Sequence, residues 1–178
     1  MIHVLAAVLF FAPAGIANAT PVFVSQFPLL RRWQTPLDLG KSWRGKRLFG
    51  SNKTWRGLVC GTLVGGLVAY LEAITVFRID TSSTRLVAIS VFGGMVMGFG
   101  ALVGDAIESF FKRQVGIASG RSWFPFDQTD YIIGGLALSA PFVRVSGHQY
   151  IWIFVVWFSL HLIVSYIGYL VGLKDQPI

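Results

Sequence analysis

The apolar run YIWIFVVWFSLHLIVSYIGYLV, residues 150–171, decides the fold class of this 178-residue chain. The run contains no Asp, Glu, Lys or Arg. It is longer than the roughly 20 apolar residues that a helix needs to cross the hydrocarbon core of a bilayer, so it predicts a transmembrane helix. Composition agrees, because 13% of the residues are charged against about 25% in soluble domains.

Four further apolar runs precede this one and qualify as membrane spans by the same criterion. The last of them is short and contains Pro141. Together the runs predict an all-α integral membrane protein, a single transmembrane domain over residues 1–178 built as a bundle of five transmembrane helices. The spans are expected at about 1–24, 57–77, 86–104, 131–145 and 150–171, with polar loops at 31–56 and 105–130.

Glycine recurs every four residues in the second predicted span, at Gly57, Gly61 and Gly65. This spacing places all three on one helix face, where the missing side chains let another helix approach closely. The third span carries a similar set at Gly93, Gly94, Gly98 and Gly100. We therefore expect close helix contacts at both spans.

The distribution of Lys and Arg predicts the orientation in the membrane. With the N-terminus outside and the C-terminus inside, 12 of them fall on the inner side and three on the outer side. Short inner loops carry such an excess, so we expect a multi-pass protein of the cell membrane with its active site on the cytoplasmic side. Ala17-Asn18-Ala19 also fits a signal-peptide cleavage site. Two observations count against cleavage. No Lys or Arg precedes that apolar run, and cleavage would place the basic block outside the membrane.

The first inner loop reads PLDLGKSWRGKRLFGSNKTWRG, residues 36–57, with basic side chains between glycines. Glycine lets backbone amides approach phosphate oxygens, while Lys and Arg supply charge and donors. Flanking membrane spans favour a nucleotide or lipid headgroup over nucleic acid. An ordinary basic loop touching anionic lipids is the alternative. The residues predicted to bind substrate are Asp38, Lys41, Lys46, Arg47, Asn52, Lys53 and Thr54.

The second inner loop reads GDAIESFFKRQVGIASGRSWFPFDQTDY, residues 104–131, and holds four of the eight acids. Asp105, Glu108, Ser109 and Lys112 would share one face of a helix that continues from the third span. Asp127 and Asp130 are again three residues apart. Carboxylates at a membrane boundary need a partner, and Mg²⁺ prefers hard oxygen ligands. Ion pairs of the acids with Lys112 or Arg113 are the alternative interpretation.

Phosphate-binding cations beside a divalent-metal site predict phosphoryl or nucleotidyl transfer to a lipid phosphate. A lipid phosphatase or phosphotransferase is a weaker alternative. Such enzymes often use a His or Ser nucleophile, and His3, His148 and His161 all lie outside the predicted inner loops. A small transporter would need ionisable residues at mid-membrane, where only Glu72 and His161 come close.

The stretches GKRLFGSNKTWRG (45–57), GDAIESFFKRQVGI (104–117) and FPFDQTDY (124–131) resemble the CDP-archaeol synthase family and, more distantly, the phosphatidate cytidylyltransferases. The matching elements are Lys-Thr, Ser-x-x-Lys-Arg and an acidic pair. The resemblance supports catalytic roles for Lys112, Arg113, Asp127 and Asp130 and a substrate-binding role for Ser109. Asp105 and Glu108 join the predicted catalytic residues because of their spacing on the helix, and the four acids are the predicted metal ligands.

The resemblance implies transfer of CMP from CTP to an isoprenoid ether-lipid phosphate, giving CDP-archaeol and pyrophosphate, with Mg²⁺ as cofactor and membrane lipids as surroundings. The bacterial-type relatives carry a Lys-Asp and a Gly-His-Gly-Gly stretch between the matching elements. Residues 119–126 of this chain contain no acid or histidine there. The metal ligands are therefore expected to differ in part, which favours Asp105 and Glu108 as contributors.

Overall fold

A computed structural model describes residues 2–78, 84–143 and 145–172. Within these ranges the chain is mainly helical, with one short hairpin between the second and third helices. In chain order the elements are α1 (Ile2–Val24), α2 (Pro28–Arg31), β1 (Ser42–Trp43), β2 (Lys46–Arg47), α3 (Trp55–Thr75), α4 (Thr84–Gln114), α5 (Phe126–Ser139) and α6 (Gly147–Leu170).

Four helical segments within the described ranges are long and apolar enough to cross a membrane: Ile2–Val24, Trp55–Thr75, Ser90–Gln114 and Gly147–Leu170. The fifth predicted span corresponds to α5, which has 14 residues. At 1.5 Å per residue it is about 21 Å long, shorter than the roughly 30 Å of the hydrocarbon core. Length and composition thus support a multi-pass membrane protein with four candidate spans.

Two helices, α4 and α5, have bounds that differ clearly from the predicted ones. Helix α4 continues to Gln114 and takes up the start of the predicted loop 105–130, because residues 105–114 keep the helical face of the preceding span. Helix α5 begins at Phe126 and ends at Ser139, earlier at both ends than the predicted span 131–145. Arg144 and Lys174, which enter the charge count, lie outside the described residues.

Glycines set the close contacts between neighbouring helices. A side chain added at Gly65 would lie 2.7 Å from the carbonyl oxygen of Gly94, so α3 and α4 touch through their backbones. One added at Gly100 would lie 2.6 Å from the carbonyl oxygen of Gly134, which gives the same contact between α4 and α5. The predicted packing role is confirmed for Gly65 and Gly94, whereas nothing lies within 4 Å of a side chain added at Gly93.

The opposite face of α3 is apolar and exposed. Leu63, Leu67 and Leu71 are 57, 54 and 47% exposed and recur every four residues. Large exposed apolar side chains at this spacing are suited to contact with lipid chains. Inside the bundle, Phe11, Ile132 and Ile153 are almost fully buried and join α1, α5 and α6.

Candidate active site

A cavity of about 900 Å³ lies at the end of the bundle where the charged segments meet. Its walls come from four helices, α1, α4, α5 and α6, and from the loop that precedes α3. Small-molecule sites commonly have volumes of about 300–1,000 Å³, so the cavity can take a nucleotide. Eight of the predicted site residues line it: Asn52, Lys53, Asp105, Glu108, Ser109, Lys112, Arg113 and Asp127.

The extension of α4 explains why four of these residues share the cavity. Three polar residues follow Asp105 at helical spacing: Glu108 after three residues, Ser109 after four and Lys112 after seven. This spacing places all four on one helix face. All four line the cavity, as the spacing predicts. Glu108, Ser109 and Lys112 are also buried. The face is therefore shielded by protein rather than spread over a solvated surface.

Ion pairs connect the two predicted loops and the acidic pair. Lys53 Nζ lies 2.6 Å from Asp105 Oδ2, and Lys112 Nζ lies 2.6 Å from Asp127 Oδ1. Lys112 is also 3.7 Å from Glu108, in the helical pair that the alternative interpretation expected. Burial alone would lower the pKa of Lys53, but the carboxylate of Asp105 outweighs burial and raises this pKa. Lys53 therefore remains a cation at neutral pH.

The acids retain capacity for a divalent cation. Among the described residues, Glu108 Oε1 and Asp130 Oδ2 are buried and have no hydrogen-bond partner. The carboxyl groups of Glu108 and Asp127 both lie near Lys112 Nζ, at 3.7 and 2.6 Å, and a second cation close to them would further reduce the repulsion of two charged carboxylates. The donor set is therefore hard oxygen, which fits Mg²⁺. Within the described ranges, no three His, Cys, Asp or Glu side chains are grouped to hold a metal by themselves.

The contact between α4 and α5 positions Asp130. A side chain at Gly104 would clash with the carbonyl oxygen of Asp130, so the two helices touch at this level. Asp130 does not line the cavity as Asp127 does. It lies next to the tightest point of the contact, one residue before the buried Tyr131, whose hydroxyl donates to the carbonyl oxygen of Trp157.

Asp38 organises the first loop instead of lining the cavity. Its carboxylate accepts hydrogen bonds from Arg47 and from the backbone amides of Gly40, Phe49 and Gly50, the one from Gly40 at 2.9 Å. Burial alone would raise the pKa of Asp38, but these hydrogen bonds outweigh burial and hold it below its ordinary value. The contacts give Asp38 and Arg47 a structural role; their substrate-binding role stays a prediction.

The β1–β2 hairpin carries Lys46, and two more of the predicted substrate-binding residues, Lys41 and Thr54, lie before and after it. Arg44 and Gly45 form its tight turn, both with positive φ, which suits the twist of paired strands. Lys41, just before β1, is exposed to solvent. Lys46 Nζ donates to the carbonyl oxygen of Gln114 at 2.6 Å and so fixes the hairpin to the end of α4. Thr54 accepts a hydrogen bond from the amide of Gly57 as the N-cap of α3.

Polar residues within the apolar helices also line the cavity, and the prediction did not include them. Asn18 comes from α1, Gln128 from α5, and His161 and Ser165 from α6. Gln128 is 2% exposed. The signal was available in the sequence, since polar groups inside a span are expensive and mark functional positions. His161 lies outside the predicted inner loops, as expected, yet it reaches the cavity from α6.

Comparison with known proteins gives one family. The family model described as CarS-like, CDP-archaeol synthase, matches residues 1–178. CDP-archaeol synthase of Thermococcus kodakarensis is 34% identical over 169 residues, which cover 94% of this chain and 92% of that protein. The enzyme of the same name from Methanococcus aeolicus is 35% identical over 172 residues, with the same two coverages. These matches confirm the resemblance that the loop motifs indicate.

A solved structure shares the fold. It is described as an intramembrane enzyme for archaeal membrane lipid biosynthesis. It superposes with a TM-score of 0.73 at 31% identity, covering 90% of this chain and 93% of the other. The similarity thus extends over nearly the whole bundle.

Proposed function

The chain belongs to the CDP-archaeol synthase family, and on this basis we propose that it transfers CMP from CTP to the phosphate of an isoprenoid ether lipid. The products are CDP-archaeol and pyrophosphate. As a member of this family the chain is a membrane cytidylyltransferase of lipid biosynthesis. The identity of the cavity residues that carry the reaction is our proposal.

One observation supports this assignment of residues above the others. Four cations, Lys53, Lys112, Arg113 and Arg121, line a single polar cavity together with the carboxylates of Asp105, Glu108 and Asp127. A triphosphate needs compensating positive charge, and its metal complex needs hard acidic ligands. Both requirements are met in one space between membrane helices, where a lipid phosphate can also arrive.

The proposed step is a direct displacement. An oxygen of the lipid phosphate forms a bond to the α-phosphorus of CTP, and the bond from that phosphorus to the bridging oxygen of pyrophosphate breaks. A phosphate monoester is largely dianionic at neutral pH, since its second pKa is about 6, so no strong general base is required. Lys112 and Arg113 stabilise the charge that develops on the leaving pyrophosphate. Lys53 holds the triphosphate, and Asn52 and Ser109 provide neutral hydrogen bonds.

Asp105, Glu108, Asp127 and Asp130 are the residues that would hold Mg²⁺. The bound ion supplies charge neutralisation and polarisation of phosphoryl oxygens. The buried oxygens of Glu108 and Asp130 without hydrogen-bond partners in the described part of the chain support this assignment. Lys53 and Lys112 already neutralise Asp105 and Asp127, which keeps the acidic cluster stable before substrate binds.

We also propose that α5 completes a five-helix membrane bundle and that the cavity faces the cytoplasm. The 12-to-three distribution of Lys and Arg supports this orientation. The Lys46–Gln114 and Lys53–Asp105 contacts support it further, because they bring both basic loops to one end of the bundle. Packing against the glycines of α4 supports a membrane position for the short α5.

The test follows the two phosphate labels of CTP separately. Purified full-length protein in detergent receives isoprenoid ether-lipid phosphate, Mg²⁺ and CTP labelled at either the α- or the γ-phosphorus. We expect the α-label in the lipid and the γ-label in pyrophosphate. Release of inorganic phosphate from the lipid without CTP would support a phosphatase, for which His161 in the cavity is a favourable feature. Uptake of a solute without chemistry would support a transporter.

A further inference from the structure

A second cavity of about 610 Å³ adjoins the first. It lies between the end of α1, the first loop and the start of α3, and apolar side chains such as Pro21, Val22, Leu58 and Leu102 form part of its wall. Asn52, Lys53 and Asp105 line both cavities. A ligand in the second cavity can therefore meet a ligand in the first at the Lys53–Asp105 ion pair.

Arg56 is the buried cation of this second cavity. It is 7% exposed, and it lines the cavity from the first turn of α3. Its Nη1 donates to the carbonyl oxygen of Leu30 at 3.1 Å. Its Nε is buried and has no hydrogen-bond partner among the described residues. Over the same residues, no carboxylate forms a salt bridge with Arg56.

A buried guanidinium without a charged partner would be stabilised by a bound anion. Arginine remains charged at any physiological pH, and a buried charge is unfavourable unless it is paired and hydrogen-bonded. One neutral carbonyl oxygen does not compensate it. The two lysines of the first cavity differ in this respect, since Lys53 and Lys112 each contact a carboxylate. Arg113 also has a buried Nε without a hydrogen-bond partner among the described residues, but it lines the first cavity together with the acids. No protein group in the described part of the chain supplies this partner, so the position is open to a ligand.

The position of Arg56 indicates which anion fits. The start of α3 adds the positive end of the helix dipole, which favours a phosphate at the same place. The guanidinium offers a planar fork that matches two phosphate oxygens. The apolar wall suits the first carbons of a lipid chain. A triphosphate is better served by the first cavity, where Lys112 and Arg113 lie.

We propose that Arg56 binds the phosphate of the lipid substrate in this second cavity. The inference rests on the proposed function, and it adds the acceptor site and the residue that determines its affinity. Lys53 and Asp105 then lie between the two substrates, at the boundary where the lipid phosphate oxygen reaches the α-phosphorus. Arg56 contacts the substrate phosphate but lies outside the cluster of Lys112, Arg113 and the acids.

The test separates the affinities for the two substrates. In purified full-length protein, Arg56→Gln is expected to raise KM for a dialkylglycerol phosphate at least tenfold and to leave KM for CTP within about twofold. Arg32→Gln removes an exposed arginine and serves as the control, with both constants unchanged. A rise in KM for CTP alone would assign Arg56 to the nucleotide and overturn the proposal. If the unsubstituted protein forms no CDP-lipid, the proposed function itself fails.

A second variant keeps the test decisive if Arg56→Gln does not fold. Arg56→Lys retains the charge but loses the planar fork. We expect a several-fold increase in KM for the lipid phosphate, with labelled CTP binding unchanged. An unchanged KM for the lipid would contradict binding through the guanidinium. A loss of thermal stability with both KM values unchanged would show that Arg56 only secures the chain at Leu30.

Discussion

The ammonium group of Lys112 lies 2.6 Å from the Oδ1 atom of Asp127, so an ion pair joins α4 to α5 at the wall of the first cavity. The second oxygen of Asp127 accepts a hydrogen bond from the backbone amide of Trp123 at 2.8 Å. Asp127 is therefore held at both oxygens, by a cation on one helix and by the segment that precedes its own. These two contacts fix the position of the Asp127 carboxylate at the cavity wall.

Replacing Asp127 or Asp130 by Asn is expected to lower turnover by several powers of ten, because each change keeps the shape but removes a charged hard ligand. Turnover would be measured across a range of Mg²⁺ concentrations. Glu72→Gln is the matched control, as this acid lies in α3 and lines neither cavity. Near-normal turnover of both Asn variants at limiting Mg²⁺ would show that these acids are not metal ligands.

Lys53 and Arg113 are expected to differ in their kinetic effects. Lys53→Ala removes a cation that holds the ground and transition states alike, so KM for CTP should rise while kcat is largely retained. Arg113→Ala should lower kcat by roughly two powers of ten, or about 3 kcal/mol, the size typical of one lost electrostatic stabiliser. Arg31→Ala, an exposed change, is the control. Identical defects in the two site variants would end this division of roles.

Gly104→Ala is expected to separate α4 from α5, because the new side chain would clash with the carbonyl oxygen of Asp130. Overpacking of this kind costs about 1–3 kcal/mol, and here it also displaces an acid of the site. We expect a lower thermal midpoint together with reduced kcat. Gly93→Ala adds the same methyl group where nothing lies within 4 Å and should leave both unchanged. Equal behaviour of the two variants would contradict the packing role.

Asp38→Asn is expected to destabilise the protein at neutral pH and to have little effect in acid. A carboxyl whose pKa is lowered by folding stabilises the native state above its unfolded pKa of about 3.9, and this contribution is lost as pH falls through the folded value. Hydrogen bonds to a charged group contribute about 1.5–3 kcal/mol. Thermal midpoints of both proteins in detergent between pH 7 and pH 3 would check this. A gap that does not narrow as the pH falls below about 3.9 would contradict it.

Ser51 and His148 are expected on opposite sides of the membrane. Both are exposed, and they lie at opposite ends of the bundle. In a Cys60→Ala background, single cysteines at these positions would be treated with an impermeant maleimide in sealed vesicles of known orientation. The reagent should reach position 51 from the cytoplasmic side and position 148 from the outside. Labelling of both from one side would contradict an odd number of spans between the two positions.

The sequence predicted the long helices and the polar face of α4, because both depend on local periodicity. A helix that continues past Gly104 brings Asp105, Glu108 and Lys112 to one side whatever the rest of the chain does. The loop motifs also predicted the family correctly. Local pattern and motif therefore accounted for eight of the 18 residues that line the first cavity, including all its acids.

Contacts between distant segments were beyond local pattern. Lys53 forms an ion pair with Asp105, which is 52 residues away along the chain. The sequence had suggested Lys112 or Arg113 as the partner of that acid. Asp38 was predicted to bind substrate because it is the one acid in a basic loop. Its carboxylate instead accepts hydrogen bonds from backbone amides of the same loop. His161 reached the cavity only because α6 packs beside α1 and α5.

The short α5 affects the energetics of the lipid. At about 21 Å it is several ångströms shorter than the hydrocarbon core, and Asp127 and Gln128 in its first turn line the cavity. Moving a methylene group from hydrocarbon into water costs about 0.8 kcal/mol, so lifting four carbons of each of two chains would cost about 6 kcal/mol. In the proposed five-helix bundle, a shortfall at this end of α5 would recess the reaction centre and let the nucleotide descend to the lipid. The lipid tails would then stay in hydrocarbon, and the enzyme would need no binding energy to extract them.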